Sequence, residues 1–111
     1  MGWTLRLAAQ AEHDFRMILT WTREHFGKSQ ASAYAETLRL ALEALLNGPD
    51  IPGSRIRPEL GAEIRVLHVA RQGRKGRHFV VFRAEQAGVI EVLRILHDCM
   101  DLAKHVADGR E

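Results

Sequence analysis

Arg71, Arg74, Lys75 and Arg77 place four cations within seven residues, a density that suits phosphate oxygens or an acidic protein surface. No aromatic residue lies among them, so base stacking there is not expected. The same cluster also fits a solvated turn whose charges keep strand edges from pairing. His97 ends the most apolar run of the chain, and Arg83 ends the run before it. An imidazole and a guanidinium could serve as acid and phosphate clamp, with Glu63, Arg65 and His68 completing such a set. The alternative for His97 is a hydrogen-bonded structural histidine that closes its strand. Arg55 and Arg57 flank Ile56 in an irregular stretch, where guanidinium forks either pin the backbone or face a partner.

Other chemistries find little support. His13 and His25 stand twelve residues apart, His97 and His105 eight, and neither spacing resembles a zinc site. Cys99 is the only cysteine, so no internal disulfide forms, which fits a reducing, cytoplasmic setting. Nothing resembles a nucleophile elbow or a phosphate-binding glycine loop. No metal and no cofactor are expected. The 111 residues suit one domain spanning 1–111, large enough for a core without staples. The start of the chain does not read as a signal peptide, and no run approaches the ~20 apolar residues of a membrane helix. The formal net charge of +2 does not by itself imply nucleic-acid binding.

These groups need a scaffold. Val89 to Leu96 contains Val89, Ile90, Val92, Leu93, Ile95 and Leu96, which suits a strand covered on both faces. At the other end of the chain, Trp3, Leu5 and Leu7 alternate with polar residues as a short strand. From Ala8 to Phe26 the period changes. Ala11, Phe15, Ile18, Leu19, Thr22 and Phe26 form a helical stripe, and Glu12, Asp14, Arg16, Arg23 and Glu24 mostly face away. Gly27 stops that helix, and Ser29 is the expected cap of a second. Tyr34, Leu38, Ala41, Leu42 and Leu45 give the second stripe, ended by Asn47-Gly48-Pro49. So short a link predicts an antiparallel helical hairpin. Asn47 to Ala62 holds all three prolines and reads as a long loop, unusual enough to hint at function or an unseen short element. Glu63–Val69 and His78–Arg83 are two further strands, joined by the basic turn. Glu85-Gln86-Ala87-Gly88 leads into the final strand, completing an antiparallel meander. Asp98, or a residue beside it, is expected to cap a short last helix carrying Met100, Leu102, Ala103 and Val106, before a frayed tail from Ala107 to Glu111. The predicted fold is α+β: an N-terminal strand, a helical hairpin packed on a small, mainly antiparallel four-stranded sheet, and a short C-terminal helix.

A series of short motifs runs along this scaffold: Pro52-Gly53-Ser54-Arg55, Glu59-Leu60-Gly61, Arg65-Val66-Leu67, His78-Phe79-Val80-Val81-Phe82-Arg83, and Val92-Leu93-Arg94-Ile95-Leu96-His97 followed by Met100-Asp101 and His105-Val106. The series resembles the ParE toxins of the RelE/ParE toxin–antitoxin superfamily from Leu5 to Val106, most strongly over the final strand and His97–Leu102. The resemblance implies a plasmid-stabilisation type of growth inhibitor that poisons DNA gyrase without making or breaking bonds itself. It also implies a ParD-like antitoxin as partner, with a toxin homodimer or a toxin–antitoxin heterotetramer both compatible. The RelE branch instead cuts mRNA on the ribosome, and His97 with Arg83 would then be the catalytic candidates. A third reading is a toxin-like fold without potency that serves its antitoxin only as a regulatory partner.

For partner contact the candidates are the basic turn, Trp21, and the stripe Met100, Leu102 and Val106. Trp21 falls off the first helical stripe and is therefore open to a partner, although tryptophan is more often buried. The C-terminal stripe is either core or a surface that an antitoxin segment covers.

Overall fold

The computed structural model describes residues 2–85 and 87–109. Strand β1 (Thr4–Leu7) is followed by helices α1 (Ala9–Phe26) and α2 (Lys28–Ala44), strands β2 (Arg55–Ile56), β3 (Ile64–His68), β4 (His78–Glu85) and β5 (Val89–His97), and helix α3 (Leu102–Gly109). The sheet runs in the order β1-β5-β4-β3-β2. Strand β1 is parallel to β5 and the other pairs are antiparallel. The α+β class holds, with five strands instead of four. The additional strand is β2, a two-residue edge in the long loop, too short to show a period.

Period-two alternation divides the sheet residues between two cores. Val80, Phe82, Ile90, Val92 and Ile95 face the hairpin, against Ala11, Leu38, Ala41, Leu42 and Leu45. Val66, Val81 and Leu96 face the other way and are covered by Leu60, Leu102 and Val106. Strand β5 therefore is covered on both faces, as its composition predicts. Between Val81 and Phe82 the register with β5 shifts, because Arg94 and Val92 are their respective partners. Leu93 is the extra residue of a β-bulge, which lets Val92 and Ile95 face the same core.

Three local expectations need correction. Ser29 caps nothing and lies inside α2, because Gly27 alone separates the helices. With φ of +92°, Gly27 donates its N–H to the Arg23 carbonyl and accepts the Ala31 N–H on its own, so one residue both ends α1 and starts α2. Asp14 does not face solvent but is 9% exposed. The last helix starts later than expected and reaches Gly109, so positions 107–109 belong to a helix, while Arg110, Glu111 and Gln86 lie outside the described residues. Its cap is Asp101, whose Oδ1 accepts the Lys104 N–H at 3.4 Å. Met100 precedes the helix and is 44% exposed.

Candidate functional site

Three strands deliver three histidines to one end of the sheet. His68 ends β3, His78 begins β4 and His97 ends β5. The antiparallel register sets His78 opposite His97 and Phe79 opposite His68. The His78 and His97 rings meet edge to face at 5.2 Å, and His68 packs against Phe79 at 4.8 Å. From α2, Tyr34 reaches over this end with its hydroxyl 2.6 Å from His78 Nδ1.

The hydrogen bonds assign the protons. His68 Nδ1 accepts the Ala70 N–H at 3.0 Å, so Nε2 carries the proton and donates it to Asp98 Oδ2 at 2.9 Å. Tyr34 accepts the Arg77 N–H at 3.0 Å and donates its own proton to His78 Nδ1. His97 Nδ1 accepts the Cys99 N–H at 3.2 Å and lies 2.9 Å from the Cys99 thiol. All three imidazoles thus use Nδ1 as an acceptor. Burial, with some help from His97, pushes the His78 pKa down to about 4. Burial likewise raises Tyr34 above its ordinary value. Asp98 accepts Arg77 Nε at 3.1 and 3.2 Å, and Arg77 and then His68 lower its carboxyl to about 2. Asp98 is therefore the anionic hub tying the β3 end to the turn before β4, and not a helix cap.

Arg83 is not part of this end. It lies five residues from His78 along β4, or about 17 Å at strand spacing. Its Nη2 binds Glu91 at 3.0 Å and Glu85 at 3.2 Å. Arg6 on β1 closes the row, binding Glu85 at 2.9 Å and Glu91 at 3.3 Å. Arg83 Nε is buried without a partner among the described residues. The structure brings His68 and His97 together around Asp98 but leaves Arg83 apart from them. Glu63 sits in the turn before β3 with φ of +61°, and Arg65 binds Asp50 at 2.9 Å.

The basic turn splits in two. Arg77 is neutralised by Asp98. Arg74 folds back onto α2, donating to Thr37 Oγ1 at 2.9 Å and to the Ala33 carbonyl at 3.0 Å. Arg71 donates to the Pro52 carbonyl at 3.3 Å, and Lys75 is exposed. Arg57 pairs with Glu59 in the loop, while Arg55 is exposed on β2. Trp21 is 53% exposed, stacked on His25 at 4.2 Å and edge to face with Phe26 at 5.7 Å. Leu102 and Val106 are buried against the sheet, which is the core alternative for that stripe, whereas Met100 stays accessible.

Sequence reasoning missed the ion pair between Asp14 and Arg94. A signal was present. Asp14 lies three residues after Ala11 and four before Ile18, inside the arc of the buried stripe.

Comparison with known proteins adds three findings. Residues 5–102 match the family model described as the ParE toxin of the type II toxin–antitoxin system parDE. Toxin ParE1 of Caulobacter vibrioides is 28% identical over 104 residues, covering 91% of this chain and 95% of that protein. Among solved structures, the chromosomal ParDE system of P. aeruginosa superposes with a TM-score of 0.69 at 19% identity, over 86% of this chain and 95% of that one. The free E. coli toxin RelE, in a mutant form, superposes with a TM-score of 0.64 at 16% identity, over 99% and 98% of the two chains. These structural likenesses concern the fold.

Proposed function

Because this chain belongs to the ParE toxin family of type II toxin–antitoxin systems, we propose that it arrests bacterial growth by binding and poisoning DNA gyrase in the cytoplasm, and that a ParD-like antitoxin neutralises it. The observation that carries this reading over the nuclease one is the separation of Arg83 from His97. A phosphoryl-transfer site needs its acid and its phosphate clamp around one oxygen cluster. Here Arg83 is engaged by Glu85 and Glu91, while His97 sits opposite His78 at the far end of the same strand pair. The three imidazoles spend their Nδ1 lone pairs on neighbouring donors, and the guanidinium beside them is spent on Asp98. That arrangement serves the fold, and it leaves outer surface to act on the target.

The test is induction of the chain alone in bacteria. Filamentation, a DNA-damage response and trapped gyrase cleavage complexes are the expected results, and His97→Gln should retain them where the variant folds. Rapid transcript cleavage that His97→Gln abolishes would favour a ribosome-dependent mRNA endoribonuclease instead. Unimpaired growth would favour a regulatory partner without potency.

A further inference from the structure

We infer that Tyr34 and His78 form a clasp worked by a proton: neutral His78 holds the turn between β3 and β4 on α2, and protonated His78 releases residues 76–78 while the rest of the sheet stays folded. Two bonds of the Tyr34 hydroxyl make the clasp. It donates to His78 Nδ1 at 2.6 Å and accepts the Arg77 N–H at 3.0 Å. The turn lies so close that a Cβ at Gly76 would stand 3.2 Å from the same hydroxyl. Two backbone bonds close the strand end behind it. The Val69 N–H donates to the His78 carbonyl at 3.0 Å, and the Asp98 N–H to the Arg77 carbonyl at 2.8 Å. Nearer the tip of the turn, Arg74 holds α2 separately, through Thr37 Oγ1 and the Ala33 carbonyl, which confines the release to the Tyr34 end.

A neutral imidazole suits these surroundings, and an imidazolium does not. Around His78 stand Tyr34 from α2, His68 from the end of β3, His97 from the end of β5 and Arg77 from its own turn, with Cys99 beside His97. The carboxylates whose fields reach it are both committed, Asp98 to Arg77 and His68, and Asp14 to Arg94. A charge on His78 would meet other bases and a guanidinium, in a site where burial already penalises it. Protonation also turns Nδ1 from acceptor to donor. The Tyr34 oxygen would then face two N–H donors, and its own proton would lose its acceptor in a half-buried place. Moving residues 76–78 toward water relieves both faults. His78 is the first residue of β4, so the movement frays a strand end and leaves the cores intact. Burial holds the His78 pKa down to about 4 when the clasp is closed. The open form takes up the proton more readily, so falling pH favours it.

The test is hydrogen exchange on the full chain, read at single amides between about pH 6.5 and about pH 4.5 in low urea. Rates are expressed as protection factors, which remove the intrinsic effect of pH on exchange. The amides of Val69, Arg77 and Asp98 should lose protection roughly 40-fold over that range, as a His78 pKa of 6.5 when open and about 4 when closed requires. At each pH they should be at least about tenfold less protected than Val80 and Val81, and insensitive to urea, because a local opening exposes little surface. Equal protection and equal urea slopes in both sets would mean that only global unfolding frees His78, and would overturn the inference. Protection of the turn that ignores pH would do the same. His78→Gln should abolish the pH dependence of the turn amides, and a dependence that survives this change counts against the clasp. Where the variant fails to fold, the parent chain decides. The His78 ring signals should then titrate together with those of the Tyr34 ring, and titration of His78 with the Tyr34 ring unmoved sinks the assignment.

Discussion

Asp14 on α1 accepts Arg94 Nε at 2.8 Å and Nη2 at 3.0 Å, and takes the Ile95 backbone N–H at 2.9 Å with the same carboxylate. One side chain thereby joins the first helix to β5, where pairing with β1 has already ended at Val92. Arg94 extends the link to α3 by donating to the His105 carbonyl at 3.3 Å. Both partners are largely buried, with side chains 16% and 10% exposed, so neither charge can be left alone cheaply.

Asp14→Ala should therefore cost about 3 kcal/mol, read as a lowered urea midpoint with an unchanged slope. The double variant Asp14→Ala, Arg94→Leu should recover part of that loss, because it removes the stranded cation. A single variant as stable as the parent chain would refute the role assigned to the pair.

The histidine end predicts a specific acid response. In the unfolded chain His78 takes up a proton near pH 6.5, whereas in the folded chain it does so only near pH 4. The unfolded state thus binds more protons between those values, and stability falls as pH drops from 6.5 through 4. Asp98 adds a second loss between about 3.8 and 2, as its carboxylate is protonated and releases Arg77 and His68. Urea midpoints measured from pH 7 to pH 4 should fall, and His78→Phe should flatten that first stretch. A midpoint independent of pH over this range would contradict the assignment.

Tyr34→Phe removes the donor to His78 and the acceptor of the Arg77 N–H. The expected loss is about 1–3 kcal/mol, with a rise in the His78 pKa followed by NMR. Gly76→Ala should disturb the same place by a different route. A Cβ there would stand 2.5 Å from Val69 Cγ2 and 3.2 Å from the Tyr34 hydroxyl, so the turn must move, at a cost of about 1–3 kcal/mol. An alanine variant with parent-like melting and unchanged His78 shifts would be the opposing result.

Trp21 touches His25 and Phe26 of its own helix and is half exposed. Trp21→Ala should change stability by no more than about 1 kcal/mol. A partner that uses this face would bind the variant more weakly, measurable by calorimetry against gyrase and antitoxin separately. A large stability loss would instead mark Trp21 as core.

Much of the scaffold was legible before any coordinates. Helical spacing marked Leu38, Ala41, Leu42 and Leu45 as one face, and all four are buried. The apolar run of β5, interrupted only by Glu91 and Arg94 before His97, correctly implied cover on both sides. Motifs spread from Leu5 to Val106 carried the resemblance that the family match then established. Strand β2 was hidden because two residues have no period to read. Asp14 was misplaced because its charge was weighed above its position on the stripe.

The sequence by itself determined the long helices and strands and most of the residues in them that turn inward, because both follow from local periodicity and the hydrophobic effect. Only the tertiary structure decided which charges meet. Arg77 finds Asp98 and Arg94 finds Asp14 across separations of 21 and 80 residues, while Arg83 and His97 stay apart on adjacent strands. Strand register and the β5 bulge set those distances, and they are products of packing the whole chain, which no local run of residues encodes.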